Sequence, residues 1–368
     1  MSYEIVFVKI EILQSFMEDT FKKLGLSEEN ARISSDVLIT ANKRGIDSHG
    51  IERLKPFYYD NLKEGKISTK IEMRILKDSP TTATIDGQGG IGLVIAKKSM
   101  EMAIEKAREY GMGMVAVRNS NHYGIAGYYA SMAAEAGMIG ITGTNTRSTV
   151  APTFGVENIL GTNPLTFGIP TDEEFPFILD CSTSVTAMGK IELYDILNKP
   201  LPEGWVADNQ GQVILNASKA KKDILNGTAS LLPLGGQGDQ NAGYKGYGYA
   251  TVVEILSSAL QDGDYLNVPS EMSKGRFANK SFGHFFVAIN VKSFIDIDKF
   301  KQKTGNILRT IRSSKKAPGA ERIYTAGEKE YLTWLERKDK GVPISNNLQK
   351  QLLTIQKELK LHQYEFPF

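Results

Sequence analysis

Cysteine is almost missing from this chain: Cys181 stands alone among 368 residues, and only four histidines, at 49, 122, 284 and 362, accompany it. A single thiol excludes an intrachain disulfide and a cysteine-rich zinc site, so no metal centre is expected and a reducing, cytoplasmic setting fits best. Charge of one sign is missing too. The 44 Lys and Arg against 42 Asp and Glu leave a formal net charge of +2, without the basic footprint that nucleic acid requires. Long hydrophobic runs are also absent. Residues 249–260 are interrupted by Glu254 and two serines and fall short of the roughly 20 apolar residues of a spanning helix. The first nine residues, with charges among the apolar positions, match neither a secretory nor a transit signal. A soluble protein without nucleic-acid or membrane partners is expected.

What the chain does have is an ordinary globular balance, 41% hydrophobic and 23% charged, and length enough for a sizeable core in about two domains. Apolar residues recur at three- and four-residue spacing over 10–24 and 27–44, so 10–63 reads as helical, with Ser27 as an N-cap and Glu28 and Glu29 in the first turn. From residue 71 the period changes. β-branched runs at 81–85 and 114–117 flank an amphipathic helix over 93–109 that ends at Gly111, and further strands are expected at 138–142, 165–169, 177–179 and 285–290. Residues 201–247 are rich in loop chemistry, ahead of helices at 247–260, 296–303 and 348–361. The expected fold class is α/β, with helical segments at both ends of the chain.

Gly87-Gln-Gly-Gly-Ile-Gly92 is a literal G-x-G-x-x-G between a strand pattern and a helix, the place of a Rossmann phosphate loop. The unit lacks its second half. The next strand ends in Val117-Arg-Asn-Ser120, with no acidic residue for the ribose hydroxyls. A glycine turn that lets strand and helix pack closely is the simpler reading, and the cofactor site is sought elsewhere.

Two of the histidines sit in polar, glycine-punctuated loops. Arg44-Gly-Ile-Asp-Ser-His-Gly-Ile-Glu-Arg53 gathers an imidazole, a hydroxyl and two guanidinium groups within ten positions, and His49 and Arg53 share a face if a helix continues there. Oxidising a 2-hydroxy acid needs a base near neutral pKa for the alcohol proton, which histidine supplies, and a planar anchor for the carboxylate, which arginine supplies better than lysine. The plain alternative is a helix capped by Asp47 or Ser48 with His49 and Arg53 solvated. The second loop, Arg118-Asn-Ser-Asn-His-Tyr-Gly124, directly follows an expected buried strand. His122 is therefore the first choice as acid/base, with Asn119, Ser120 and Asn121 available to fix its tautomer, although asparagine-rich turns also form for backbone reasons alone.

Three later segments, Gly143-Thr-Asn-Thr146, Asp180-Cys-Ser-Thr-Ser184 and Gly243-Tyr-Lys-Gly-Tyr-Gly248, offer backbone N–H groups and small hydroxyls to a dinucleotide. Asp180 is either a ribose or nicotinamide partner or a helix cap, and Lys245 either a phosphate partner or a surface lysine. Cys181, after an apolar run, reads as a small packed residue rather than a nucleophile.

Together these segments resemble the type-2 malate/L-lactate dehydrogenase family, which also holds sulfolactate and ureidoglycolate dehydrogenases, diketogulonate reductases and piperideine-2-carboxylate reductases. The resemblance runs through nearly the whole chain. It is carried by Asp47-Ser-His-Gly50 with Arg53, Arg118 to Gly124, Val150-Ala-Pro152, Gly161-Thr-Asn-Pro164, Leu179-Asp180, Gly189-Lys190, Pro202-Glu-Gly-Trp205, Lys245-Gly-Tyr-Gly248 and Gly283-His-Phe-Phe286. It implies a three-layer, mixed-sheet, non-Rossmann fold of the sulfolactate-dehydrogenase-like type, in which residues 1–75 with 295–368 form a helical domain and 76–294 an α/β domain for cofactor and substrate, a homodimer, and NAD or NADP as cofactor. It also implies acid/base roles for His49 and His122, with Ser48 assisting and Arg53 holding the substrate carboxylate. Thr146, Asp180, Cys181, Ser182, Thr183, Lys245, Gly246 and the stretch Ala326, Gly327, Glu328 match cofactor-contacting positions. Two departures stand out: Thr146 where serine is frequent, and Thr325-Ala-Gly-Glu328 where a proline commonly precedes Gly-Glu.

The activity so implied is oxidation of a small 2-hydroxy acid, malate first and lactate next, at C2. Malate needs a second cation for its distal carboxylate, and Arg147 and Arg118 both remain open. Rival readings are a reductase of a diketo sugar acid or cyclic imino acid on the same scaffold and, further off, a Ser/His hydrolase or a non-catalytic nucleotide-binding protein. The hydrolase reading lacks a G-x-S-x-G elbow.

Overall fold

The computed structural model describes residues 5–266 and 281–368. A short strand, β1 (Val6–Val8), leads into α1 (Ile10–Lys23) and α2 (Glu28–Lys43), each burying its apolar stripe. Ser27 starts α2 as its spacing predicts, its hydroxyl accepting from the Asn30 N–H at 3.3 Å. Beyond α2 the helical expectation needs correction. Two 3-10 turns, Asp47–His49 and Ile51–Arg53, pass into a π-helical stretch, Leu54–Tyr59, and one α turn, α3 (Asp60–Lys63). Gly50, at φ −92° and ψ −138°, interrupts the α geometry. His49 and Arg53 therefore do not sit one above the other on an α-helix.

The centre of the molecule is one mixed sheet. Its strands are β2 (Arg74–Asp78), β3 (Thr82–Asp86), β4 (Met112–Ser120), β5 (Met138–Thr144), β6 (Leu165–Ile169) and β7 (Phe177–Cys181), with α4 (Gly92–Tyr110) between β3 and β4 and α5 (Ala126–Glu135) between β4 and β5. A lobe follows with α6 (Met188–Ile196), β8 (Val206–Asp208), α7 (Ala217–Leu225) and β9 (Ala229–Leu231). Helix α8 (Gly243–Ser257) then leads to β10 (Phe282–Asn290). The chain closes with α9 (Ile297–Ser313), α10 (Glu328–Lys340), β11 (Val342–Ile344) and α11 (Asn346–Leu359).

The sheet order is β2-β3-β4-β10-β5-β6-β7; β3 and β4 run parallel and the other neighbours antiparallel. Two glycines show the layering. A Cβ on Gly113 of β4 would lie 2.1 Å from the Ala103 carbonyl of α4, while one on Gly283 of β10 would lie 1.7 Å from the Ser257 carbonyl of α8. Because Gly113 pairs with Ala288, five residues from Gly283 and so of opposite side-chain direction, α4 and α8 cover opposite faces of the sheet. Three layers result. The terminal segments meet through β1, which pairs antiparallel with β11, and their helices share one apolar core with α4 and the sheet. A second core, around Val150, Ile191, Val206 and Leu231, supports the lobe. No described helix is long and apolar enough to cross a membrane.

The glycine loop after β3 is closed on its own protein. Gly87 N–H donates to the Arg118 carbonyl at 2.9 Å and Gly89 N–H to that of Asn119 at 2.8 Å, while the Asn121 amide donates to the carbonyls of Gly89 and Gly90. A Cβ at Gly92 would stand 2.2 Å from the Asn121 carbonyl. The loop is a close-packing turn between β3, α4 and the end of β4, and the N–H groups of Gly87, Gln88, Gly89 and Gly90 are already bonded within the protein.

Candidate active site

The tight turns after α2 and the loop after β4 meet. The rings of His49 and His122 stack with centroids 5.8 Å apart and planes 26° from parallel. Ser48 Oγ lies 3.0 Å from His49 Nδ1. Arg53 Nε donates to the Ser48 carbonyl, and its guanidinium lies 4.8 Å from the centre of the Phe57 ring. Phe57 also packs on His122, with centroids 4.9 Å apart. The expected quartet of Ser48, His49, Arg53 and His122 is thus brought together across 74 residues of sequence separation, from Ser48 to His122.

Burial sets the electrostatics. It lowers the His49 pKa to about 4, with Arg53 adding to the effect. Burial also takes His122 well below the ordinary imidazole value, and His49, Arg53 and His284 push the same way. Both rings are neutral near pH 7, the form in which an imidazole accepts a proton.

At Nδ1 of His122, where a tautomer-fixing partner is expected, stands Tyr58, which nothing in the sequence singles out. Its hydroxyl lies 2.7 Å from His122 Nδ1 and 3.3 Å from the His122 carbonyl oxygen. The asparagines and serine expected in that role are engaged elsewhere: Asn119 Nδ2 donates to Asp86 at 2.9 Å, Ser120 Oγ lies 2.9 Å from His284 Nε2, and Asn121 holds the glycine loop. Arg118 is also withdrawn from the choice of distal-carboxylate partners. It is buried and bound to Asp86 and to the Gln261 and Asp262 carbonyls, whereas Arg147 is exposed. His284 has both ring nitrogens engaged, by Thr144 and Ser120, and its ring stacks on Tyr123.

A second unforeseen residue, Arg337 of α10, pins the turn that carries Ser48 and His49. It forms a two-pronged pair with Asp47, both contacts at 2.7 Å, while Asn42 donates to Asp47 and accepts from the Ile51 N–H at 2.8 Å.

The positions expected to contact the cofactor fall into two groups. In the first, Thr146 Oγ1 accepts from the Thr162 N–H at 2.8 Å, and the Thr183 N–H donates to the Thr162 carbonyl at 2.9 Å. The Leu234 N–H donates to Thr183, which brings this loop beside Gly246. In the second, the Ile178 N–H on β7 donates to the Ala326 carbonyl at 3.4 Å, and Gly327 sits against the same strand at φ 90°. Asp180 accepts from the Gly127 N–H, in the first turn of α5, at 2.7 Å and from Thr166 at 3.0 Å. Burial raises its pKa against those hydrogen bonds and the charge of Arg44. Glu328 is buried and paired with Arg322 and Arg312, and it accepts from the Thr325 N–H, bracing the loop that ends in Gly327.

Cys181 is not the packed residue expected of it. It ends β7, the edge strand of the sheet, and its side chain is exposed, with a thiol pKa raised by partial burial and by Asp180. Ser182 Oγ donates to the Ser184 carbonyl at 3.1 Å. The chain then returns to the catalytic turn, since a Cβ on Gly189 would lie 3.4 Å from the Ser48 Cβ. Helix α8 begins four residues before its expected start, which puts Lys245 and Gly246 in a first turn that no side chain caps. The Lys245 ammonium is exposed, 5.8 Å from the Tyr244 ring centre. The Gly243 and Lys245 N–H groups are bonded to the Gly238 and Ala242 carbonyls, so the donors suited to phosphate and ribose oxygens here are the Lys245 ammonium and the small hydroxyls.

A neutral imidazole pair, a neighbouring guanidinium and a polar cradle away from the glycine loop suit a hydroxy-acid oxidoreductase built on a non-Rossmann α/β fold. Residues 8–353 match the family model for malate/L-lactate dehydrogenase. The malate dehydrogenase of Pyrococcus abyssi is 45% identical over 340 residues, 92% of this chain and 91% of that protein, and the L-sulfolactate dehydrogenase of Methanocaldococcus jannaschii is 40% identical over 96% and 98%. The crystal structure of malate dehydrogenase from Entamoeba histolytica superposes with a TM-score of 0.94 at 43% identity, covering 99% of this chain and 100% of that one. The chain belongs to the malate/L-lactate dehydrogenase family.

Proposed function

We propose that this protein oxidises the C2 hydroxyl of a small 2-hydroxy acid to the 2-oxo acid with NAD or NADP, and that malate is its first substrate. The observation that carries this reading is the neutral His49–His122 pair beside Arg53: base and carboxylate anchor stand within one cluster. Arg53 holds the substrate carboxylate. His122 takes the hydroxyl proton as the C2–O bond becomes a carbonyl, while Ser48 and His49 hold the other side of the reacting centre. When bound, the nicotinamide supplies the two-electron acceptor for the hydrogen leaving C2. Thr146, Ser182, Thr183, Lys245 and Gly246 would hold the dinucleotide's phosphates and riboses, with Asp180, Cys181, Ala326, Gly327 and Glu328 along the β7 edge.

Exposed Tyr244, Tyr247, Val252 and Ile255 form one apolar side of α8, which supports a homodimer. Light scattering should then give about twice the 40.6 kDa chain mass. The single cysteine supports a cytoplasmic setting. A second reading, sulfolactate as substrate, is favoured by the relative of that name at 40% identity; malate and sulfolactate both carry a second anion. Absorbance of the reduced cofactor, followed with oxaloacetate, sulfopyruvate, pyruvate and a cyclic imino acid, each with NADH and NADPH, tests both. Fastest turnover of oxaloacetate supports the first reading, and fastest turnover of sulfopyruvate replaces it. No turnover with any pair would remove both.

A further inference from the structure

We propose that Tyr58 is a positioning residue: its hydroxyl accepts the Nδ1–H of His122 and donates to the carbonyl of the same residue, which leaves Nε2 as the free proton acceptor. The inference rests on His122 being the acid/base of the reaction proposed above. Both distances are present, 2.7 Å to Nδ1 and 3.3 Å to the carbonyl oxygen, so one phenol brackets side chain and backbone of one residue. A hydroxyl can fill both roles because it has one proton to give and lone pairs to receive.

The bracket is rigid. Tyr58 is fully buried, its ring meets Phe21 edge-on at 6.1 Å, and it follows Phe57, which also packs on His122. The π-helical stretch Leu54–Tyr59 gives the segment a wider turn than an α-helix, and Arg53, Phe57 and Tyr58 all reach the same cluster. Such π turns recur where side chains are re-aimed at functional sites.

A phenol differs from the carboxylate that orients histidine in a Ser-His-Asp triad. The titratable and charged groups facing His122 are His49 and Arg53 from the tight turns, Tyr58 from the π turn and His284 from β10. None of them is an anion near pH 7, since burial holds the Tyr58 phenol protonated. Tyr58 therefore sets the tautomer without lending negative charge, and the ring remains an unprotonated base until a hydroxyl is offered. In the oxidative direction the substrate O–H bond breaks and Nε2–H forms, while Nδ1–H stays on Tyr58 throughout. The competing arrangement has Tyr58 donating to Nδ1 beside the Gly124 N–H, which is 3.4 Å away, and would present Nε2–H instead.

The test is the tautomer itself. With four histidines in the chain, nitrogen-15 histidine labelling of the whole protein, assigned against His122→Asn, reads which ring nitrogen of His122 bears the proton. Nδ1–H is expected; Nε2–H in the native protein would overturn the proposal whether or not any variant folds. In Tyr58→Phe the ring packing is kept, so kcat should fall about ten- to hundred-fold in both directions, with NADH and NADPH dissociation constants unchanged and the Nδ1–H population reduced. An unchanged tautomer with only a lower melting temperature would mean a packing role and defeat the inference. The two ideas separate cleanly. If His122→Asn keeps a kcat near the native value, the acid/base reading fails; if its kcat falls about 10²-fold or more while Tyr58→Phe is normal, only the role of Tyr58 fails.

Discussion

The turn at 47–53 and the glycine loop at 87–92 invite the same reading as sequence: both are short, both are broken by glycine, once at Gly50 and four times in the second, and both follow a regular element. They differ in what their polar groups already hold. In the glycine loop the N–H groups of Gly87 and Gly89 and the carbonyls of Gly89 and Gly90 are bonded within the protein. In the other turn, Asp47 and Asn42 carry the structural bonds, while the His49 imidazole stacks on His122 and the Arg53 guanidinium lies over Phe57. A motif binds a ligand only with the donors that its own fold has not used.

The largest effect should come from breaking the reactive side of this comparison. His122→Asn removes the proton acceptor but keeps a polar side chain, and kcat should fall about 10²–10⁴-fold. The same measurement on His49→Asn decides between the two rings. If His49→Asn suffers the larger loss and His122→Asn remains active, the roles are exchanged. Arg53→Lys should come next, because lysine cannot present a planar fork to a carboxylate. A loss of about 1.5–3 kcal/mol in kcat/KM is expected, with KM for the acid rising more than KM for the nicotinamide. Equal rises would place Arg53 at the cofactor.

Gly92→Ala probes the other side. Its Cβ would press within 2.2 Å of the Asn121 carbonyl and 2.6 Å of the His122 carbonyl, so chemical denaturation should show a stability loss of about 1–3 kcal/mol. Because the loop's donors are internal, the dissociation constants of NADH and NADPH should stay near their native values even as turnover drops. A collapse in cofactor affinity comparable to that of Lys245→Ala would restore the phosphate-loop reading.

How much of this could be read beforehand follows the physics of each element. Helices α1, α2 and α4 and the strands that alternate or run apolar were visible, because one face of each is buried and the period records it. Helix α5 left no such record. It buries Ala126, Gly127, Tyr129, Ala130, Ala133 and Ala134 around much of its circumference, so it has no polar stripe to set the phase. The first turn of α8 was hidden by Gly243, Gly246 and Gly248, which lower helix propensity, although tertiary packing outweighs that cost here. Ser48, His49, Arg53 and His122 could be picked out because their chemistry is unusual and local. Tyr58 and Arg337 could not. One looks like an aromatic in a helix and the other like a surface arginine, and each gains its meaning from a partner 64 or 290 residues away.

The smallest effect concerns pH, and it sharpens the contrast because the glycines of the other loop do not titrate. His49 is held at about 4 in the folded protein against an ordinary 6.5. Between those values the unfolded chain binds a proton that the folded chain does not, so stability rises with pH across that window. The contribution is complete above about 6.5 and is lost as pH falls toward about 4. His284, lowered to about 3 by burial, adds to the same slope. Melting temperatures measured from pH 7 to pH 4.5 should therefore fall, and His49→Asn should make the fall shallower while Gly92→Ala lowers the curve without changing its slope. An unaltered slope in His49→Asn would mean that this ring is solvated in the folded protein, and the two loops would then differ less than their hydrogen bonds suggest.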